Sequence, residues 1–353
     1  MSSRGVGGTT DHRENQTTTA RDVHLPVAAQ PSVDALVEYA QVAEAAGYDF
    51  AWLPETWGRD AVTVLTAIAE RTETIGIGSS IVNTYSRSPA LLGQTAATLQ
   101  EVADGRFRLG IGPSGPIVIE NWHGVEFDDP LRRTREYVEV IRRVLSGDPV
   151  EYDGDQFSLS GFKLRSEPPA QTPPVDVTGM GPKAVELAGR FADGWHAIMF
   201  TADGMADGLE DLRRGAELGD RSPEDVRVTV GVTCCVLEDA ARAQELARQH
   251  AAFYIGGMGT YYRDSLVRQG YEQAETIHDA WQEGDRERAT AALDDDLLDD
   301  LCAAGSLETA RENLKAFESL EGVDAVAVSF PRGANEDEIR ETLSALAPAD
   351  DSS

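Results

Sequence analysis

Chemistry in this chain is confined to a few side chains, and most of them lie directly after short apolar runs. Glu55, Thr56 and Trp57 follow residues 49–53, while Ser80, Asn83, Tyr85 and Arg87 lie at or beyond the end of residues 75–82. Ser114, Gly115, Glu120, Trp122 and His123 follow residues 106–112, and His196, Met199 and Phe200 close residues 194–199. Two of these ends have the makings of anion sites. Gly179, Met180, Gly181, Pro182 and Lys183 run straight into a helical pattern. Unpaired backbone N–H groups and the positive helix end would there meet a phosphate. Gly112, Pro113, Ser114 and Gly115 make a second small-residue turn, suited to a phosphate or a ribityl chain. Either loop alone also reads as an ordinary tight turn; their adjacency is what raises the ligand reading. Glu55, after an apolar run and beside Trp57, is a candidate acid whose setting favours the protonated form, with a structural carboxylate as the equal alternative. His123 lies in a loop of aromatic character, whereas His196, among apolar neighbours, reads first as a core histidine.

Much chemistry is excluded. No P-loop or GxGxxG fingerprint occurs, nor a nucleophile elbow or a paired carboxylate specific to glycoside cleavage. No CxxC, HExxH or Cys/His metal spacing is present, so no metal is expected. Cys234 and Cys235 lie within an apolar run and Cys302 stands far off, which suits reduced core thiols. Redox chemistry borrowed from a bound organic cofactor asks least of the side chains.

The elements that must position these residues alternate without a break. Strand patterns cover residues 23–29, 49–53, 75–82, 106–112, 175–178, 194–199, 226–237 and 325–330. Helical patterns follow over 34–46, 60–71, a stretch of roughly fourteen residues between 82 and 106, 130–145, 183–191, 204–218, 239–303, 307–320 and 337–346. A (β/α)8 barrel of the TIM type accounts for this series better than a doubly wound sheet, and it places the active site at the carboxyl ends of the strands. Residues 21–348 read as one domain. Insertions are expected near 148–173, where Asp153-Gly154 signals a hairpin, and near 256–300. Residues 1–20, rich in Thr, Gly, Ser and Arg, read as a disordered tail rather than a secretory signal.

Acidity dominates the composition. The chain carries 61 Asp plus Glu against 31 Lys plus Arg, a formal charge of −30, and lysine occurs only at positions 163, 183 and 315. Such a surface disfavours nucleic acid and anionic membranes, and no apolar run reaches the length of a membrane span. Self-repulsion on this scale is relieved where salt is molar and the Debye length falls to about 3 Å. The expectation is a protein of the cytoplasm of a salt-accumulating halophile, acting on a small-molecule substrate.

Several motifs carry a resemblance that runs from about residue 22 to about residue 347. They are GSSIVNTYSRSP at 78–89, DGRFRLGIGPSGP at 104–116, ENWHG at 120–124, RTREY at 133–137, and GPKAVELA at 181–188 with ADGW at 192–195. In these the chain resembles the luciferase-like flavin and deazaflavin oxidoreductases. Within them it is similar to the coenzyme F420-dependent branch that includes methylenetetrahydromethanopterin reductase. The resemblance implies an insertion-bearing barrel, a homodimer, and hydride transfer between the deazaflavin and an organic substrate. It implies a non-proline cis peptide at Ser80-Ile81 behind the ring, and contacts from Asn83, Ser114 and Gly115 to the cofactor's chain. Gly179, Met180, Gly181, Pro182 and Lys183 would hold its phosphate end. Trp57, Tyr85, Trp122 and Phe200 would wall the substrate, with Glu55 or His123 handling the proton. The chain departs from its relatives in two places. The sugar-phosphate dehydrogenases carry Asp-His after the second strand and Gly-Glu in the fourth loop, where this chain has Glu55-Thr56 and Gly115-Pro116. The methanopterin reductases carry a glutamate on the first strand, where this chain reads VHLPVAA at 23–29. Neither substrate is therefore expected. An FMN-dependent monooxygenase and a non-catalytic deazaflavin-binding barrel remain alternatives.

Overall fold

The structure is a computed structural model that describes residues 19–29 and 32–348. Most of the tail expected over residues 1–20 lies outside the described residues. In chain order the strands are β1 (Ala20–His24), β2 (Phe50–Leu53), β3 (Gly76–Ser79), β4 (Val82–Asn83), β5 (Phe107–Gly112) and β6 (Val150–Asp153). They continue as β7 (Ser158–Phe162), β8 (Val175–Thr178), β9 (Gly194–Ile198), β10 (Arg227–Val236), β11 (Cys302–Gly305) and β12 (Ala325–Ser329). Hydrogen bonding runs β12-β1-β2-β3-β5-β8-β9-β10, and β10 returns to β12, so the parallel sheet closes on itself. This is the expected (β/α)8 barrel.

Strand alternation sorts the side chains. Val23, Ala51, Leu53, Val175, Val177, Trp195, Ala197, Val228 and Val230 are buried in the main apolar core. Neighbouring positions on the same strands carry a polar interior: Asp22, Asp176 and His196 are all buried. Asp22 takes Arg227 on both oxygens, at 2.9 and 3.1 Å, and accepts from the Trp52 indole at 2.8 Å. Burial nevertheless raises the Asp22 pKa, opposed by Arg227. Asp176 is gripped by Arg108 through two bonds of 2.8 and 2.6 Å. Against the upward push of burial, Arg108 and the hydrogen bond from His196 hold this carboxylate well below its usual range.

Two expectations require correction. The first strand stops at His24, because Pro26 offers no N–H to the ladder. Residues 25–29 turn instead, through Val27 N–H to Leu25 O (2.9 Å) and Ala29 N–H to Pro26 O (3.1 Å). The long helical region does not reach residue 303: Cys302–Gly305 is a strand lying parallel to β10. The thiols of Cys234, Cys235 and Cys302 are free and buried, and burial pushes Cys235 and Cys302 each up to about 12. The Asp153-Gly154 signal corresponds to the β6–β7 hairpin, whose loop is fastened by the buried Glu136 carboxylate. That group accepts the N–H groups of Asp155, Gln156 and Phe157 at 2.9–3.1 Å.

Candidate active site

A cavity of about 730 Å³ opens at the carboxyl ends of the barrel strands. A larger hollow of about 880 Å³ lies at the opposite end of the barrel, among Arg108, Arg142, Asp193, Arg227 and Asp324. There the arginines are already engaged: Arg108 with Asp176, Arg142 with Asp193, and Arg227 with Asp22. Of the two, the carboxyl-end cavity is the candidate site, for it collects the loops that follow successive strands.

The structure brings ten of the sixteen expected residues together in this cavity, Glu55 among them. Ser80, Ile81, Ser114, Gly115, Gly179, Met180, Gly181, Pro182 and Lys183 all line this cavity. The Ser80-Ile81 peptide is cis. Its neighbours tie it to β2, with Ser80 N–H donating to Leu53 O (3.0 Å) and Glu55 N–H to Ile81 O (3.2 Å). Ser114 has φ 60°, in the left-handed region. Gly181 caps the helix Pro182–Phe191 without a side-chain acceptor, so no side chain of its own competes for the first-turn N–H groups. Lys183 reaches the rim, but its ammonium is bonded to Glu186 at 2.8 and 3.0 Å and is largely exposed.

Six others lie outside the cavity lining. Phe200 is buried edge-on against Trp195 (5.5 Å) and packs in the core, outside the cavity lining. Tyr85 is also buried, stacked on Phe127 with its hydroxyl on Asp128 O (2.8 Å). Trp57 and Trp122 are 48% and 63% exposed and lie outside the cavity lining. Asn83 is not a cavity residue either. Its Oδ1 accepts the N–H groups of Tyr85 and Ser86, and its Nδ2 meets His123 Nε2 at 3.1 Å. Asn83 and His123 thus shape the loop after β4. Glu55 does line the cavity, but Arg87 holds both carboxylate oxygens at 2.6 and 2.9 Å, and Ala61 N–H adds a third bond at 2.9 Å. That is the setting of a carboxylate paired with Arg87.

Of the other cavity residues, His24, His250, Tyr254 and Tyr262 escaped the sequence reading, whereas Phe330 and Arg332 are legible as the residues that follow the last strand. His24 lies at the end of β1, and its Nε2 is 3.1 Å from Ser80 Oγ. Ser80 Oγ is 3.4 Å from His196 Nδ1, and His196 Nε2 is 3.3 Å from Asp176 Oδ2. His196 also receives the edge of Trp52 at 4.4 Å. Burial first, then His196, pushes the His24 pKa down to about 3. Across the cavity stand His250, Tyr254, Tyr262, Phe330 and Arg332. His250 Nδ1 accepts the Arg332 N–H at 3.0 Å, and burial with Arg332 lowers its pKa to about 4. Tyr254 and Tyr262 meet edge-to-face at 5.2 Å. Arg268 and Arg332, both lining the cavity, have no carboxylate partner among the described residues. His24 was legible only as a lone imidazole in an apolar strand; a partner 56 positions away, Ser80, leaves no mark in local spacing.

Among the described residues no group of three or more His, Cys, Asp or Glu is placed to hold a metal, and no helix is long and apolar enough to cross a membrane. The chain is 31% identical over 314 residues to a Mycobacterium tuberculosis protein named as a coenzyme F420-dependent oxidoreductase, Rv3520c, covering 83% of this chain and 89% of that one. It is 28% identical to the 5,10-methylenetetrahydromethanopterin reductase of Archaeoglobus fulgidus, covering 84% and 89%. The fold superposes on the coenzyme F420-dependent tetrahydromethanopterin reductase of Methanopyrus kandleri with a TM-score of 0.79 at 24% identity, over 94% and 98% of the two chains. Residues 10–324 match the family model described as luciferase-like monooxygenase, and the chain belongs to that family.

Proposed function

We infer that this protein is a coenzyme F420-dependent oxidoreductase that transfers a hydride between the deazaflavin and an organic substrate. The observation that carries the reading is the single cavity into which the cis Ser80-Ile81 turn, Ser114-Gly115 and the loop 179–183 all open. The relationship to F420-dependent enzymes, over 83 and 84% of the chain, supports it. When bound, the cofactor supplies the hydride chemistry at its central ring.

The chain's own residues fit such a group. A cavity of about 730 Å³ is within the ordinary size of cofactor and ligand sites. Ser80 and Ile81 would back the ring, Ser114 and Gly115 would border its chain, and Gly179, Met180, Gly181 and Pro182 would take the phosphate end at the start of the helix Pro182–Phe191. Arg268 and Arg332, with Lys183 at the rim, set positive charge around an anionic ligand in a chain whose formal charge is −30. Tyr254, Tyr261, Tyr262 and Phe330 give the remaining lining an aromatic character, which suits a substrate with an apolar body. The Glu55-Thr56 and Gly115-Pro116 positions argue against a sugar phosphate, and His24 in place of a strand-one glutamate argues against the methanopterin reaction.

The acid excess and scarcity of lysine support work at high salt, in the cytoplasm of a halophile, and the family supports a homodimer. The test is a fluorescence titration of purified protein in molar KCl, with F420 and FMN in separate runs, followed by an F420-bleaching screen of alcohols and unsaturated carbonyl compounds. Stoichiometric F420 binding with weak FMN binding is expected. Preference for FMN overturns the cofactor and redirects the work to oxygen-dependent chemistry.

A further inference from the structure

We propose that His24 is the proton acceptor of this site, its Nδ1 turned to the cavity and its tautomer set from inside the barrel by Asp176 acting through His196 and Ser80. The inference rests on the functional reading above, since it gives the hydride a proton to accompany it. It follows from the donor and acceptor capacity of four side chains in a row.

Asp176 is the fixed end. Arg108 binds it through two bonds, so it is ionised and accepts only. His196 Nε2, 3.3 Å away, is then the donor to it, and in this proposal His196 carries that one ring proton and presents a bare Nδ1. Ser80 Oγ, 3.4 Å from that nitrogen, donates its one hydroxyl proton there. The Ser80 oxygen is left to accept, and His24 Nε2 at 3.1 Å is the donor. His24 Nε2–H leaves Nδ1 as a lone pair. No protein group among the described residues bonds Nδ1, and His24 lines the cavity. Burial keeps the His24 imidazole neutral, with its pKa down at about 3, so charge cannot rest there and Nδ1 takes a proton only as the Nε2 proton leaves towards Ser80. The rival candidates are occupied: Glu55 is paired with Arg87, and His123 lies outside the lining.

The proton path balances. A substrate carbon that loses hydride, for which the bound cofactor would supply the acceptor, must also release the adjacent O–H or N–H proton, and that proton would bond to His24 Nδ1. The Nε2 proton passes to Ser80 Oγ and the Ser80 hydroxyl proton to His196 Nδ1, leaving a His196 imidazolium against the Asp176 carboxylate. No side chain changes oxidation state, and the reverse order returns the same proton to a reduced substrate. His196, Ser80 and Asp176 are positioning residues in this scheme.

The test uses the full chain with ¹⁵N-labelled histidine, with and without F420, read by long-range ¹H–¹⁵N correlation at neutral pH. The expected result is one His24 tautomer, protonated at Nε2 with an unprotonated Nδ1, and the same tautomer at His196. Ser80→Ala and Asp176→Asn should each release His24 into a mixture of tautomers. Ser80→Ala keeps the test open if Asp176→Asn fails to fold. His24→Gln should retain F420 binding by fluorescence and slow single-turnover hydride transfer by about 100-fold, within the usual range for general acid–base catalysis. A His24 protonated at Nδ1, or a tautomer indifferent to Ser80→Ala, overturns the proposal. Failure of the wild-type protein to bind F420 instead sinks the functional reading, and leaves the tautomer result standing by itself.

Discussion

Arg87 shows how a single side chain holds the mouth of the barrel. It spans Glu55 after β2 and Asp60 at the start of the next helix, and the Tyr137 hydroxyl bonds its carbonyl at 2.6 Å. Glu55→Gln leaves the part-buried guanidinium short of charge and is expected to cost on the order of 3 kcal/mol. Chemical denaturation measures this; unchanged stability with turnover lost would return Glu55 to a proton-transfer role. The histidines make a second prediction. Burial lowers the His24 pKa to about 3 and the His250 pKa to about 4, whereas an unfolded histidine titrates near 6.5. Below that pH the unfolded chain binds protons that the folded one refuses, so stability falls as pH drops from about 6.5 towards the folded values. Melting temperatures across that window at fixed high salt should decline. The decline should flatten in a His24→Gln/His250→Gln double variant; an equal slope in that variant would remove the histidines as its cause.

At the scale of elements, the site depends on close backbone approach. A Cβ on Gly110 of β5 would sit 2.0 Å from Ser79 O, and the Ser79 hydroxyl bonds both Gly110 O (2.8 Å) and Gly110 N–H (3.0 Å). This contact sets β3 against β5 immediately before the Ser80-Ile81 turn. Gly110→Ala is expected to cost about 1–3 kcal/mol through overpacking and to weaken F420 binding by displacing Ser80. Retained stability with full affinity would show that β3 tolerates the shift. The RTREY motif acts likewise as architecture. Arg133 donates to Thr84 O (2.7 Å) and lies 4.4 Å over the Tyr85 ring, while Glu136 caps the β6–β7 loop. Its residues were visible as a signature but not as a brace, because their partners lie about 20 to 50 positions away and the motif's own spacing carries no trace of them.

For the whole molecule, charge is the governing quantity. A formal charge of −30 repels itself over a Debye length of about 10 Å at 0.1 M salt, and much less over about 3 Å at 1 M. The melting temperature should therefore rise steeply between these concentrations of KCl and then more slowly. A flat response would sever the composition from habitat. Low salt should also weaken the binding of anionic F420 to its cavity, since the positive rim of Arg268 and Arg332 is then set against an unscreened acidic surface.

The sequence by itself determined the barrel and the loops that open onto its mouth. Alternating apolar runs, Pro182 and Pro130 at helix starts, and Gly-rich strand ends are local signals of backbone geometry, and eight of them in series admit few topologies. Strand alternation, however, reports only that a residue faces inward, not what it meets there. Only the closed barrel could bring His24, Ser80, His196 and Asp176, from four different strands or strand ends, into one hydrogen-bonded row. It also turned Phe200 and Tyr85 into packing and Trp57 and Trp122 to the exterior. An aromatic after a strand has the same composition whether it lines a cavity or plugs a helix contact. The choice rests on long-range packing, which removes the largest apolar area from water wherever the fold allows it.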